Sequence, residues 1–449
     1  MSRLVLCGSL VFLILLSPLF GHIARAATIT VDTTADDQTA NGNCTLREAI
    51  TAAELNTAVD TCIAGDDNND TIDLTGVSGT ITLGAVLLTI TKDLTITGPG
   101  ASSLTVDGNG IGGVFDIDSS TSDQTLTISG LTVTGGDDIN SGGGFLVAAG
   151  DTLNLSSCVI DNNRAPNGGG IFNNGGTVTL ADCTVRNNTA DNFGGGISNG
   201  GIMTLNNSLV NGNTTTGSGA GIDNLGTLTL TNTTVSGNTS GGWAGGIFNN
   251  GTMTLNESLV SGNSDVLGVG GITQQGTATF INSTISGNTG VGVQNTAATG
   301  VNSTFVSSTI AFNTGTGYAH SRTVTIYSTI VANNGTNCTG TGSGTYTDAG
   351  WNLDSDDTCS FMDVTDLPNT DPLLGPLADN GGPTQTHALQ TGSPAIDAGD
   401  NIGCPAADQR GIKRPQDGDR DGRAMCDIGA YELSLSKATP WIPLLLLDD

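Results

Sequence analysis
An asparagine recurs every 25 residues: Asn163, Asn188, Asn213, Asn238, Asn263, Asn288 and Asn313. Other columns keep the same beat. Three residues before each asparagine stands a β-branched apolar residue, from Ile160 through Val235 to Ile310. Five before each stands a small one: Cys158, Cys183, Ser208, Thr233, Ser258, Ser283 and Ser308. A fixed period of roughly 20–50 residues marks a stacked-repeat architecture.

The residue types select the class of repeat. One unit, from Leu228 to Thr252, holds three strand-like pieces: Leu228 to Leu230, Thr233 to Val235 and Gly246 to Phe248. Each is bounded by Asn or Gly, and no helical apolar period runs through the unit. Three strands and three turns in 25 residues make one coil of a right-handed parallel β-helix, an all-β solenoid whose coils stack about 4.8 Å apart. The β-branched column then fills the interior. The asparagine column is expected at turns, where Asn accepts a left-handed backbone and its amide bonds along a ladder. A second amide column comprises Asn173, Asn199, Asn224, Asn249, Gln274 and Asn295. The composition agrees: 67 glycines in 449 residues, 4% aromatic, and 13 Lys and Arg against 42 Asp and Glu. Strict phasing of the apolar residues excludes disorder in spite of that bias.

Residues 1–26 read as a secretory leader: Arg3, an apolar run from Leu10 to Leu16, and Ala24-Arg25-Ala26 as the cleavage site. Its removal, which takes Cys7 as well, leaves 11 basic residues against 42 acidic ones. Such a surface has little to neutralise phosphate, which argues against nucleic acid and anionic membrane as partners. The location expected is extracellular or on a bacterial cell surface. Eight cysteines then remain as local pairs. Cys44/Cys62, Cys338/Cys359 and Cys404/Cys426 are expected to be disulfides in an oxidising compartment. Cys158 and Cys183, one period apart, are either bridged across adjacent coils or two free buried thiols.

An open solenoid exposes strand edges and must cap them. Thr45-Leu-Arg-Glu48 is a capping box, with Leu46, Ala49, Ile50 and Ala53 at helical spacing behind it, so a lid helix is expected over the first coil. Asn43-Cys-Thr-Leu-Arg-Glu-Ala-Ile50 resembles the CSLREA motif of exported bacterial β-helix proteins. The stretch from Asp70 to Gly100 is similar to that family's lead-in. At the other end, Gly350-Trp-Asn-Leu353, Asp371-Pro-Leu-Leu-Gly-Pro376, Gly392-Ser-Pro-Ala-Ile-Asp397, Asp408-Gln-Arg-Gly411 and Cys426-Asp-Ile-Gly-Ala-Tyr-Glu432 resemble the choice-of-anchor Q domain. The Gly-rich coils are distantly similar to those of polymorphic outer membrane proteins. These resemblances imply an exported cell-surface protein of unassigned activity. The organisation expected is a leader at 1–26, a cap with the first strands at 27–100, coils at 101–335, a Cys-containing C-terminal domain at 336–436 and a tail at 437–449. The apolar stretch of that tail falls far short of the ~20 residues that span a bilayer, so membrane contact is expected only through an anchor not identified in the sequence.

Chemistry is sparse. Residues 126–335 contain no lysine and only Arg164, Arg186 and Arg322, which argues against lyase action on uronate polymers. No column carries carboxylates on adjacent coils, as a glycosidase pair about 5–10 Å apart would favour; Asp182 shares a column with Glu257, three coils away. Asp161 and Arg186 stack as an ion pair. His320 and His387 are isolated and read as structural. Trp243, in a turn, either stacks on a sugar ring or shields the next coil. Asp417-Gly-Asp-Arg-Asp-Gly422 opens like a Ca²⁺ loop, with Asp417, Asp419 and Asp421 as candidate ligands and Arg414, Arg420 and Arg423 as alternative neutralising groups. The function expected is non-catalytic: adhesion, contact with glycans or a neighbouring cell, or surface structure. The alternative is a polysaccharide-active enzyme, a neutral-glycan hydrolase or lyase with an unrecognised site.

Overall fold
The computed structural model describes residues 26–66, 69–86, 89–118, 123–296, 302–340 and 346–434. The expected leader, apart from Ala26, and the expected tail at 437–449 lie outside the described residues. The chain is a right-handed parallel β-helix whose sheets hold thirteen, twelve and ten strands, with a fourth sheet of five. The coil containing Asn238 shows the plan. Thr227–Thr231 lies in the first sheet, Thr234–Ser236 in the second, Thr239–Ser240 in the short fourth sheet and Ile247–Asn249 in the third. Three of these are the strands expected from the repeat. The two-residue strand is additional, and two residues are too few to display an apolar alternation. The pairing continues through Tyr346–Asp348 and Leu353–Asp354.

The β-branched column from Ile160 to Ile310 is fully buried. Toward the C-terminal end the core becomes aromatic. Phe280 and Phe305 stack with centroids 4.4 Å apart, and Tyr318 meets Phe305 edge-on at 5.2 Å. His320 then lies between Tyr318 and Tyr346 as part of the same stack.

At each corner the main chain turns out of its sheets, and its N–H groups need partners. The asparagine column supplies them. Asn188 donates from Nδ2 to Asn213 Oδ1 at 3.0 Å, and its own backbone N–H donates to the same oxygen at 2.9 Å. The pattern repeats from Asn163 to Asn313 and passes on to Asn334. These asparagines are not the left-handed residues. That backbone belongs to the residue before each one: Asn162 and Asn187, Gly212 to Gly287, then Phe312. The small column forms a second ladder, in which Cys183 N–H donates to Ser208 Oγ at 3.1 Å and Ser208 N–H to Thr233 Oγ1 at 3.3 Å. It continues to Thr329, whose N–H donates to Asn352 Oδ1. The residues before it, such as Asn207, Asn232 and Glu257, are again left-handed. The second amide column joins Asn173, Asn199, Asn224 and Asn249 to Gln274. It stops there: Asn295 Oδ1 instead accepts Ser303 Oγ.

The lid helix, Leu46–Leu55, starts at the expected capping box, with Glu48 N–H to Thr45 Oγ1 at 3.1 Å and Thr45 N–H to Glu48 Oε2 at 3.0 Å. Leu46, Ala49, Ile50 and Ala53 are buried. Arg47 pins the lid to Asp36 at 2.8 Å and to the carbonyls of Ala85 and Val86. Cys44–Cys62, Cys338–Cys359 and Cys404–Cys426 are bonded, whereas Cys158 and Cys183 are free buried thiols.

After the last coil the chain doubles back along the second sheet as a strap. Its Gly429 N–H donates to Ser328 O and its Ala430 N–H to Thr309 Oγ1; Ala407 O accepts Asn282 Nδ2, and Gln409 bonds both Thr284 Oγ1 and Ser258 O. Thr384 Oγ1 reaches Glu257 O. His387 is buried in this seam between Ser286 Oγ and Gly375 O, both at 2.8 Å. Inside the strap, Arg414 donates to Gly429 O at 2.7 Å and stands 3.4 Å from Glu432; Arg410 grips Asp408 at 2.6 Å and lies over the Tyr431 ring. The residues of the Asp408-Gln-Arg-Gly411 and Cys426-to-Glu432 motifs thus serve this polar core and its attachment.

Val235 has no exposed surface. Val235→Asp places an unpaired charge in a dry stack and is expected to destabilise by about 4 kcal/mol or more, with loss of several coils. Circular dichroism melting checks it: a parental curve would put this column on the outside.

Candidate functional site
The outward column of the third sheet differs from the others. Phe172, Ser198, Asp223, Phe248, Thr273 and Gln294 succeed each other along it. Glycine turns lean closely on the strand starts: a Cβ on Gly219, whose φ is +66°, would stand 2.6 Å from Ile222 O. Asp223 is consequently only 3% exposed. Its one side-chain partner is Ser198 Oγ at 3.4 Å, and burial pushes its carboxyl up to about 7. Among the described residues no second carboxylate contributes to that shift, so Asp223 stands without the paired acid of a glycosidase.

Beside this column the turns form a ridge. Trp243 is 42% exposed and borders a hollow of about 280 Å³ with Leu267, Gly268, Val269, Val291 and Gln294. Asp265 Oδ1 holds the far wall by accepting the N–H groups of Gly268 and Val269. Trp243 therefore both shields the turn of the next coil and presents an aromatic surface to solvent.

The remaining sequence candidates are dispersed. Asp161 and Arg186 pair at 3.0 Å on the surface, a contact worth about 0–1 kcal/mol. Glu257 lies under Thr384 of the strap, where burial and then Asp408 raise its carboxyl, and Asp182 lines an open cleft beside Pro383. Asp417 and Asp419 come together with Asp397, and these three could hold a cation. Asp421 takes another course and accepts the Arg423 N–H at 2.7 Å. Arg414 is committed to the strap core, and among the described residues no close ion pair joins Arg420 or Arg423 to the three acids. Asp397 lies twenty residues before Asp417, so no loop motif signals it. Asp223 carried no sequence signal either, because its burial comes from the fold of a glycine turn.

Residues 93–265 match the family model for right-handed β-helix regions. No curated protein matches the chain. The crystal structure of pectate lyase Pel9A is similar at a TM-score of 0.45 and 14% identity, covering 91% of this chain and 96% of that one.

A carboxyl raised from 3.8 to about 7 is protonated in the folded chain at a pH where the unfolded chain is ionised. Its contribution is full below pH about 4, declines between about 4 and 7, and stays reduced above. Asp223→Asn mimics the neutral acid. It is expected to raise stability at pH 8 by up to about 4 kcal/mol and to change it little at pH 4. Paired melts at the two pH values check this, and an equal shift at both would place the carboxyl in water.

Proposed function
We propose that this is an exported cell-surface β-helix protein with a non-catalytic role, contacting uncharged glycans at the hollow beside Trp243. The carrying observation is the partly exposed indole over an apolar hollow that ends in the Gln294 amide. An aromatic platform with a nearby amide suits a sugar ring, which presents one apolar face and a rim of hydroxyls. The balance of 42 acidic to 13 basic residues favours neutral ligands over uronate polymers, nucleic acid or anionic lipid. On this reading the chain meets a membrane only through an anchor.

The enzymatic alternative rests on Asp223, whose carboxyl can hold a proton near neutral pH. Independently of either reading, we propose a Ca²⁺ ion at Asp397, Asp417 and Asp419, as a clamp on the strap.

Two measurements test these statements. On a glycan array the full chain is expected to retain neutral oligosaccharides, and Trp243→Ala to lose at least tenfold in affinity. Reducing ends and unsaturated products should not accumulate on the same ligands, nor on polygalacturonate or alginate. Turnover abolished in Asp223→Asn would instead establish the enzyme. For the ion, a ligand at a hundredfold excess over its Kd stabilises by about 2.7 kcal/mol. The melting midpoint of the full chain should therefore rise with millimolar Ca²⁺ and fall with chelator, and identical midpoints would remove the ion.

A further inference from the structure
The first sheet presents a face unlike any other on the molecule. From Thr125–Ser129 to Thr323–Tyr327, nine strands pair residue for residue without a register shift. Alternate residues point outward. Of those twenty-seven outward positions, sixteen are threonine and none is charged. The middle column is threonine on every coil from Thr179 to Thr325. A second threonine column, containing Thr177, Thr227, Thr252 and Thr277, runs parallel to it and is interrupted only at Ile202 and Asn302 over that span.

Chance does not favour a charge-free face on a protein with 42 acidic residues, since soluble surfaces intersperse charges. Nor does the strap cover it: among the described residues its hydrogen bonds reach this sheet only at the far edge, where Tyr327 donates to Asp400 at 2.6 Å and Asp348 accepts the N–H groups of Met362 and Asp363. Among the described residues the hydroxyls of Thr179, Thr204, Thr229, Thr254 and Thr279 have no partner, so each offers one donor and two acceptor sites to solvent. Threonine is stiff at χ1, and the ladder below fixes each backbone. The result is a rigid grid of hydroxyl and methyl pairs. Its repeats are about 4.8 Å between coils and about 6.7 Å along a strand, over roughly 40 Å.

We propose that this face binds ice. A grid with two fixed repeats suits a partner that is itself a lattice of hydrogen-bonding oxygens, as ice is. The hydroxyls take places in the hydrogen-bond network, while the methyls favour ordered water over their own hydration shell. Preorganisation keeps the entropy loss on docking small. A saccharide site would instead gather aromatic platforms, and among the outward positions of this face the only aromatic is Tyr327 at its end.

The test uses the full chain. Fluorescently labelled protein should be taken up into a growing ice hemisphere and should show thermal hysteresis. Thr229→Tyr with Thr254→Tyr, which raises two knobs on the grid, should remove at least nine-tenths of both signals while leaving the circular dichroism melt unchanged. Ser236→Tyr on the second sheet and Trp243→Ala should leave them intact, which separates this face from the glycan hollow. Exclusion of the parent chain from ice overturns the proposal. So does full retention by the double variant, or capture by an insoluble neutral polysaccharide through the same threonines without ice uptake.

Discussion

Backbone N–H groups at the corners of a coil have nowhere to go. Within a flat strand each finds the carbonyl of the next coil, but at a bend the main chain swings away from that ladder. This protein answers with a side-chain oxygen one coil further on, and each corner oxygen serves the backbone of the coil before it. An asparagine does more than a serine here: Ser208 Oγ donates only to the carbonyl of Asn206, whereas Asn188 Nδ2 donates both to Ile160 O and to Asn213 Oδ1 of the next coil. The demand is local, but it can be met only if every coil puts its corner residue at the same height. That requirement fixes the period, keeps the columns small or amide-bearing, and places a left-handed residue, most often Asn or Gly, just before them. The apolar interior follows from the same registration.

This is why so much of the coil was legible in the sequence. Asn163 to Asn313 and Ile160 to Ile310 are written at a constant interval, and each contact joins like to like. The same reading misplaced the left-handed backbone by one residue, because Asn fills both positions at 162–163 and 187–188, and glycine takes over the first only from Gly212 onward. The lid was legible because a capping box is a contact between residues three apart. The path of the strap was not. Gln409 meets Ser258 across 151 residues, and Asn282 meets Ala407 across 125. Neither pair leaves a periodic trace. Asp397 beside Asp417, and the burial of Asp223, are hidden for the same reason.

The three long faces have diverged under one repeat. The second is occupied by the strap over the later coils. The third is crowded by glycine turns and carries the aromatic and acidic side chains. The first is uniform and open. A solenoid of identical coils would give three uniform faces, so the difference arises from residues outside the ladders, and those residues are where function is to be sought.

The strap has a consequence for how the molecule can change length. Before Asn232 a coil can be inserted or deleted whole, since every ladder simply gains or loses one step. Between Glu257 and Ser328 it cannot, because the strap meets fixed partners at Glu257, Ser258, Asn282, Thr284, Ser286, Thr309 and Ser328. An extra coil there would carry the later partners one step beyond the groups that reach them. The strap thus works as a ruler laid along the C-terminal coils. Variation in length is confined to the unstrapped half, where more than half of the threonine grid lies, whereas the hollow beside Trp243 is lined mostly by residues of the strapped coils.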